Sequence, residues 1–123
     1  MASSFSSNET APRAAAEVAA TEPSNLRAAL EAVGDRWTLL IVHALLPDQR
    51  RHFRELLRQV DGIASNILSE RLRHLTELGL VSKHADPAHK QKAVYQLTAR
   101  GAALAPVLEQ LTAWGGRLDS STQ

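Results

Sequence analysis

The chain has 123 residues, of which 44% are hydrophobic and only five are aromatic. This composition predicts one domain of about 100 residues with an aliphatic, leucine-rich core, plus a tail. Because there is no cysteine, disulfides, thiolate nucleophiles and cysteine zinc sites are excluded. No apolar run approaches the ~18 residues of a membrane span, and the N-terminus has no signal-peptide pattern. We therefore expect a cytoplasmic globular protein.

The charge is unevenly distributed, although the net charge is only +1. Residues 1–24 carry one arginine and three glutamates, a charge of −2. From Arg36 to Arg100 there are eleven Lys and Arg against six Asp and Glu, a charge of +5. A basic central region with an acidic tail favours a polyanionic partner.

Residues 1–24 consist mainly of Ala, Ser, Thr, Glu and Pro. They bury too little to offset ordering entropy, so we predict a disordered tail, in which the alanines from Ala14 to Ala20 can form a transient helix. The folded domain is predicted at 25–118, followed by a C-terminal tail at 119–123. Its first helix, Asn25–Val33, places Leu26 and Leu30 on one face.

A second helix, DRWTLLIVHALL, is predicted to be capped by Asp35 and to stop before Pro47. It is apolar around most of its circumference, so it is a central helix, and Trp37 is assigned to packing. A third helix, HFRELLRQV, follows from His52. The arginines on and before it, which either form a solvated face or contact phosphates, are Arg50, Arg51, Arg54 and Arg58.

The segment Ile63–Gly79, IASNILSERLRHLTELG, is predicted to be an amphipathic helix after an Asp61-Gly62 turn. Ser65 is the predicted cap and Gly79 the terminator. One face is a leucine stripe: Leu68, Leu72, Leu75 and Leu78. The other is polar: Asn66, Ser69, Glu70 and Arg73. A solvated surface helix would show the same pattern, but the elements that follow favour a helix that reads DNA.

Two short strands, Leu80–His84 and Lys92–Leu97, enclose a basic turn. The turn and the start of the second strand hold His89, Lys90 and Lys92, which suit a hairpin lying along a phosphate backbone or entering a minor groove. His84, Asp86 and His89 offer a metal site as the alternative, but their spacing matches no zinc pattern. We therefore predict no metal and no other cofactor.

Thr98 is predicted to cap a last helix that runs to Trp114, is kinked at Pro106, and ends at the Gly115-Gly116 pair. Its apolar stripe has no later element to cover it, so it needs a partner surface on the first helix and on a second copy of the chain. The predicted dimer interface comprises Leu26, Leu30, Leu104, Leu108, Leu111 and Trp114.

Together these elements predict a mainly α fold with a small two-stranded antiparallel hairpin. This is a winged helix-turn-helix, dimerised through its N- and C-terminal helices. No Gly-rich phosphate loop, paired carboxylates or nucleophile–base set can be assembled from the sequence, so an enzyme is not expected.

Several segments in order resemble the HxlR-type winged helix-turn-helix transcriptional regulators, which are related to the MarR group. They are GDRWTLLI, HFREL, GIASNILSERLRHLTELGLV, YQLTARG and LAPVLEQLTAWG, and the resemblance spans Ser24 to Gly116. It implies a bacterial homodimeric regulator whose two reader helices enter successive major grooves. The implied reader positions are Ser65, Asn66, Ser69 and Arg73, and the implied wing positions are His89, Lys90 and Lys92. Arg71 also matches a motif position, for which a structural or a phosphate-binding role is open.

One departure from the family matters. Many members carry a redox-sensing cysteine just before the first helix, where this chain has Ser24. Thiol sensing is therefore not available, and any signal must come from a small-molecule effector or from protein abundance. We expect a repressor acting as a homodimer on a pseudo-palindromic operator. The alternative is a winged-helix protein-interaction module, since Glu70 and Glu77 also lie on the reader face.

Overall fold

The computed structural model describes residues 13–89 and 91–121, and the chain divides into two compact units, Met1–Ala32 and Val33–Gln123. The helices are α1 (13–19), α2 (Pro23–Val33), α3 (Thr38–Ala44), α4 (Phe53–Gln59), α5 (Ser65–Glu77), α6 (Ala99–Ala102) and α7 (Ala105–Ser121). The strands are β1 (Arg51–His52), β2 (Val81–Ala85) and β3 (Ala93–Leu97). None of the helices in the described ranges combines the length and hydropathy that crossing a bilayer requires.

The first unit contains α1 and most of α2. The predicted disordered tail, 1–24, contains a helical stretch at 13–19, which the high helix propensity of its alanines explains; residues 1–12 lie outside the described part of the chain. Helix α2 begins at Pro23 rather than Asn25, since proline is favourable in a first turn. Its Leu26 and Leu30 are 59% and 55% exposed.

The core of the second unit is built on the inner face of α5. Leu68, Leu72 and Leu75 are at most 2% exposed, because helical spacing places them in one row. The fully buried residues that α3, α4 and β2 contribute to the same cluster are Ile41, Val42, Leu56 and Val81, and Leu45, directly after α3, joins them. Burial of each leucine contributes about 1.5–3 kcal/mol, so this face fixes the rotation of α5 and leaves its polar face outward.

The sheet has three antiparallel strands in the order β1–β3–β2, one more than the sequence indicated. The predicted hairpin is present, with Val81 opposite Leu97 and Ala85 opposite Ala93. The added strand pairs Arg51 with Tyr95 and His52 with Val94. A two-residue strand shows no period-2 alternation, which explains why His52 was assigned to a helix.

Helices α3 and α5 differ in detail from the prediction. The N-cap residue of α3 is Trp37 rather than Asp35, although Asp35 Oδ1 accepts from the amides of Trp37 at 2.8 Å and Thr38 at 2.9 Å. Helix α3 ends at Ala44 rather than just before Pro47. Ser65 does not cap α5. The extended N-cap residue is Ala64, which makes no side-chain cap, and Ser65 is already helical.

The predicted last helix is two helices. Thr98 caps α6 as predicted, its Oγ1 accepting from the Gly101 amide at 3.1 Å. Pro106 is the second residue of α7, where a missing N–H costs nothing, so it does not kink a continuous helix. Helix α7 continues through Gly115-Gly116 to Ser121, into the predicted tail at 119–123.

Gly101 allows α6 to pack closely against the base of the hairpin. A Cβ at this position would lie 2.1 Å from the carbonyl oxygen of Leu80, an approach that only glycine allows. The Thr98 amide donates to the same carbonyl at 3.0 Å. The hairpin is thereby held beside α5, which ends at Glu77 and is followed two residues later by Gly79 with φ of 76°.

Candidate nucleic-acid interface

The four predicted reader residues lie together on the outer face of α5. Ser65, Asn66, Ser69 and Arg73 are all exposed, opposite the buried leucines. Arg73 Nη1 lies 3.4 Å from Glu77 Oε2, with the two side chains 68% and 63% exposed. Such exposed pairs contribute about 0–1 kcal/mol, so the guanidinium can turn to another acceptor.

A groove of about 320 Å³ separates the reader face from the hairpin. Its lining residues are Ser69, Leu72, Arg73, Thr76, Glu77, Lys83 and Tyr95. Lys83 lies over the Tyr95 ring, with Nζ 5.9 Å from the centroid. Lys83 was not among the predicted site residues. Side chains alternate along a strand, however, so Lys83 lies on the same face of β2 as buried Val81, the face that turns to α5.

Two basic side chains of the wing, the turn at residues 86–92, are exposed to solvent. His89 and Lys92 are exposed; Lys90, predicted to act with them, lies outside the described residues. The Asp86 amide donates to the Lys92 carbonyl at 2.9 Å, and the His89 amide donates to the Asp86 carbonyl at 3.1 Å. These backbone hydrogen bonds connect Asp86, His89 and Lys92 across the described part of the turn.

Cations of α4 adjoin the wing. Exposed Arg54 and Arg58 line a cavity of about 390 Å³ together with Lys92. Among the described residues, none of the side-chain ion pairs includes these three groups. Arg50 is also exposed, with Nε 3.5 Å from Gln96 Oε1. This row has the charge and exposure that phosphate contacts require.

Two of the arginines predicted to contact the DNA backbone, Arg51 and Arg71, form hydrogen bonds within the protein. Arg51 Nε donates to the Ala44 carbonyl at 2.6 Å. Arg71, with a side chain 25% exposed, places Nη2 2.6 Å from Glu70 Oε1 and Nη1 3.3 Å from Asp35 Oδ2. The hydrogen bond with Glu70 and the charge of Asp35 raise the pKa of Arg71. Its geometry fits the structural alternative.

Asp35 joins this ion pair to the start of α3. Burial alone would raise the pKa of the Asp35 carboxyl, but hydrogen bonds from Thr38 and Trp37, together with the charge of Arg71, lower it below its ordinary value. The Thr38 hydroxyl, which is completely buried, donates to the same carboxylate. The Arg71–Asp35 pair thus ties α5 to the first turn of α3.

The residues predicted to form the dimer interface differ in how exposed they are. In the first unit Leu26 and Leu30 are exposed; in the second, Leu111 and Trp114 are 44% and 54% exposed. Leu108 is only 8% exposed and belongs to the core, and Leu104 packs half-buried against it.

The alternative metal site is not assembled. His84 contacts Ser82 Oγ and Asp86 contacts His52. Across the described residues, no group of three or more His, Cys, Asp or Glu side chains is placed to hold a metal ion.

A helix-turn-helix whose second helix exposes a polar face beside a basic hairpin is a winged helix-turn-helix domain, the architecture of many DNA-binding regulators. The model of the HxlR-like helix-turn-helix family matches residues 32–122. The chain belongs to this family, as its motifs predicted.

Relatives agree with this assignment. An HTH-type transcriptional regulator of Halalkalibacterium halodurans is 37% identical over 86 residues, 70% of this chain and 76% of the relative. The HTH-type transcriptional regulator YodB of Bacillus subtilis is 33% identical over 89 residues, 72% of this chain and 79% of YodB. The crystal structure of quinone-bound YodB superposes with a TM-score of 0.65 and 28% identity, covering 76% of this chain and 98% of that one. The relatives are transcriptional regulators, and DNA-binding regulation is the function of the class.

Proposed function

We propose that this chain is a sequence-specific double-stranded DNA-binding repressor that acts as a homodimer on a pseudo-palindromic operator. The observation that carries the proposal is the continuous exposed polar face of α5, from Ser65 to Arg73, beside a basic wing. A helix with this face fits the major groove, where base edges present a distinct pattern of donors and acceptors.

The side chains suit two separate tasks. Asn66 offers a donor and an acceptor that match adenine, and Arg73 carries the fork that matches guanine. Arg50, Arg54 and Lys92, with His89, neutralise phosphates and release counterions, which supplies affinity without sequence preference. Sequence discrimination therefore rests on α5, and most of the salt dependence rests on α4 and the wing.

Exposed apolar side chains support a homodimer. Leu111 and Trp114 on α7, and Leu26 and Leu30 on α2, are each at least 44% exposed, and groups of such residues mark interaction surfaces. A twofold dimer places two reader helices about 34 Å apart on one face of a duplex. Occupation of a promoter in this way represses by excluding polymerase.

A small-molecule effector completes the proposal. YodB has been crystallised with quinone bound. This chain has no cysteine, so its effector binds without a thiol adduct. A cavity of about 420 Å³ between α3 and α7, lined by Leu39, Leu40 and His43 among others, is the candidate site.

Footprinting of the purified full chain on the promoter upstream of its own gene tests the DNA-binding part. We expect one protected region with two inverted half-sites about 10–10.5 bp apart, or a multiple of that, and reduced transcription from the protected promoter. Light scattering should give the mass of a dimer. Increased transcription would refute repression.

The same binding assay separates the proposal from a winged-helix protein-interaction module. A DNA-binding protein that contacts several phosphates loses affinity steeply as salt rises. Equal, weak binding to operator and scrambled duplexes at every salt concentration would favour the protein-interaction module.

A further inference from the structure

Lys83 is an exposed cation at the junction of two cavities beside the reader face. It lines the groove of about 320 Å³ between α5 and the hairpin, together with Arg73. It also lines a cavity of about 420 Å³ on the hairpin, together with Lys92 of the wing. The three side chains therefore form a row of positive charge from the reader helix to the wing, and Lys83 is the middle member.

The sheet determines where Lys83 lies. Its strand, β2, is an edge strand and contacts α5. Lys83 is paired with Tyr95 on β3, and Tyr95 is paired with Arg51 on β1, so the three side chains cross one face of the sheet. Arg51 is occupied within the protein, since its Nε donates to the Ala44 carbonyl at 2.6 Å. Lys83 is the cation at the open end of this row.

Tyr95 holds the ammonium group of Lys83 in place. Nζ lies 5.9 Å from the centroid of the ring, within the range of cation–π attraction. The ring itself is half-buried and packs against the core. Because the attraction comes from the face of the ring, the N–H donors directed away from it remain available to an acceptor. Across the described residues, none of the side-chain ion pairs includes Lys83.

The geometry of B-DNA brings a sugar-phosphate strand to this place when α5 occupies the major groove. The major groove is about 12 Å wide, and a helix with its side chains is about 10–12 Å across, so the bordering strands lie against both sides of the helix. On the side of the hairpin, such a strand enters the groove that Arg73, Glu77 and Lys83 line. Glu77 repels phosphate. Once Arg73 turns to a base, Lys83 is the lining cation left to bind the strand.

We propose that Lys83 binds a phosphate of the DNA strand that passes between α5 and the hairpin, and that Tyr95 is the positioning residue for this contact. A lysine that is held before binding loses less side-chain freedom when the complex forms. Phosphate contacts carry no sequence information but fix the register of the protein on the duplex. The inference rests on the proposed DNA-binding function, to which it adds the contact that joins the reader helix to the wing.

Fluorescence anisotropy of the full chain with operator and scrambled duplexes, over a series of salt concentrations, tests the phosphate contact. Lys83→Met removes the charge and keeps an unbranched side chain. We expect binding to both duplexes to weaken by the same factor, about three- to tenfold. The slope of the logarithm of the association constant against the logarithm of the salt concentration should become shallower by about 1. Lys83→Arg keeps the charge and should keep the wild-type slope.

Arg100→Met is the matched control for net charge. Arg100 is an exposed cation on α6, which packs at the base of the hairpin, the end opposite the wing. This variant should keep the wild-type slope. An equally shallow slope in Arg100→Met would show that Lys83 acts only through net charge, and a loss confined to the operator in Lys83→Met would make Lys83 a base contact. Either result would overturn the phosphate contact.

A double-mutant cycle tests the role of Tyr95. Tyr95→Leu removes the ring and keeps an apolar side chain against the core. We expect it to weaken binding to both duplexes about two- to fivefold in the wild-type background, with no further loss in Lys83→Met. Tyr95→Phe keeps the face of the ring and should bind as the wild type does. The same loss in both backgrounds would show that Tyr95 only supports the fold, and would overturn its positioning role.

The same titrations separate failure of this inference from failure of the proposed function. A wild-type chain that binds the operator with steep salt dependence, together with an unchanged slope in Lys83→Met, would overturn the phosphate contact and leave DNA binding intact. A wild-type chain that binds neither duplex at any salt concentration would refute both proposals.

Discussion

Helix α5 carries two arginines, two residues apart, on regions of opposite character. Arg71 lies on the inner edge, its side chain 25% exposed, with contacts to Asp35 and Glu70. Arg73 lies on the outer face, 68% exposed, with one long contact to Glu77. The residue type is the same, so the difference arises from position alone: a helix turns by about 100° per residue.

The two regions of α5 therefore have different roles. The inner edge holds α5 to the start of α3, so that the reader face has a fixed orientation. The outer face has few contacts within the protein and can exchange them for base edges. A reader helix needs both, because groups that discriminate bases must be held in a definite geometry before they bind.

Removal of the Asp35 carboxylate should have the largest effect. Asp35→Ala removes the acceptor of the Trp37 and Thr38 amides at the start of α3, worth about 1 kcal/mol, and leaves the buried Thr38 hydroxyl without its partner, about 1–3 kcal/mol. We expect the free energy of unfolding to fall by about 2–4 kcal/mol in urea titrations followed by circular dichroism.

Two variants sharpen this prediction. Arg71→Ala should cost about 1 kcal/mol, because Asp35 keeps its contacts with Trp37 and Thr38. Asp35→Ala should cost less in a Thr38→Val background, which has no hydroxyl to leave unpaired. A cost below about 0.5 kcal/mol for Asp35→Ala, the usual range for surface substitutions, would show that the inner edge does not hold α5.

Arg73→Ala tests the outer face. We expect it to weaken binding to the operator by about 1–3 kcal/mol if Arg73 contacts a base, while the free energy of unfolding changes by less than about 0.5 kcal/mol. Anisotropy with operator and scrambled duplexes measures the first quantity. Arg54→Ala is the matched control, since loss of a phosphate contact weakens both duplexes equally. An equal loss for Arg73→Ala would make it a phosphate contact.

The sequence predicted those parts of the fold that repeat along the chain. The leucine row of α5 recurs over several turns, so its burial and the outward polar face followed from spacing. The Thr98 cap and the hairpin could also be predicted, because each depends on residues that are close together in the sequence. Strand β1 was not, because two residues carry no period. Glycine costs a helix about 1 kcal/mol relative to alanine, which did not suffice to end α7 at Gly115.

The candidate DNA-binding residues could be predicted from the sequence only where exposure on a helix face is enough to identify them. Helical angle put Arg71 at the edge of the core stripe, but its partner Asp35 lies 36 residues earlier. His52 and Asp86 are 34 residues apart, with no local pattern to connect them. Ion pairs between distant segments depend on the finished packing, and so does the division of cations into those that brace the protein and those left for a ligand.

The smallest expected effect is a pH dependence of the inner edge. Because the pKa of Asp35 is lower in the folded chain than its ordinary value of 3.8, its charge stabilises the fold above that value, and this contribution is lost as the pH falls through the folded pKa. Asp35→Asn keeps an oxygen acceptor but cannot ionise.

The stability difference between wild type and Asp35→Asn should therefore be constant from about pH 7 to pH 5 and should shrink at more acidic pH, as measured by urea unfolding at each pH. Asp61→Asn, which removes an exposed carboxylate in the turn before α5, controls for the general effect of one less negative charge. A difference that stays constant to pH 3 would mean that the carboxylate acts on α3 only as a hydrogen-bond acceptor, and that its charge contributes nothing to the attachment of α5 through Arg71.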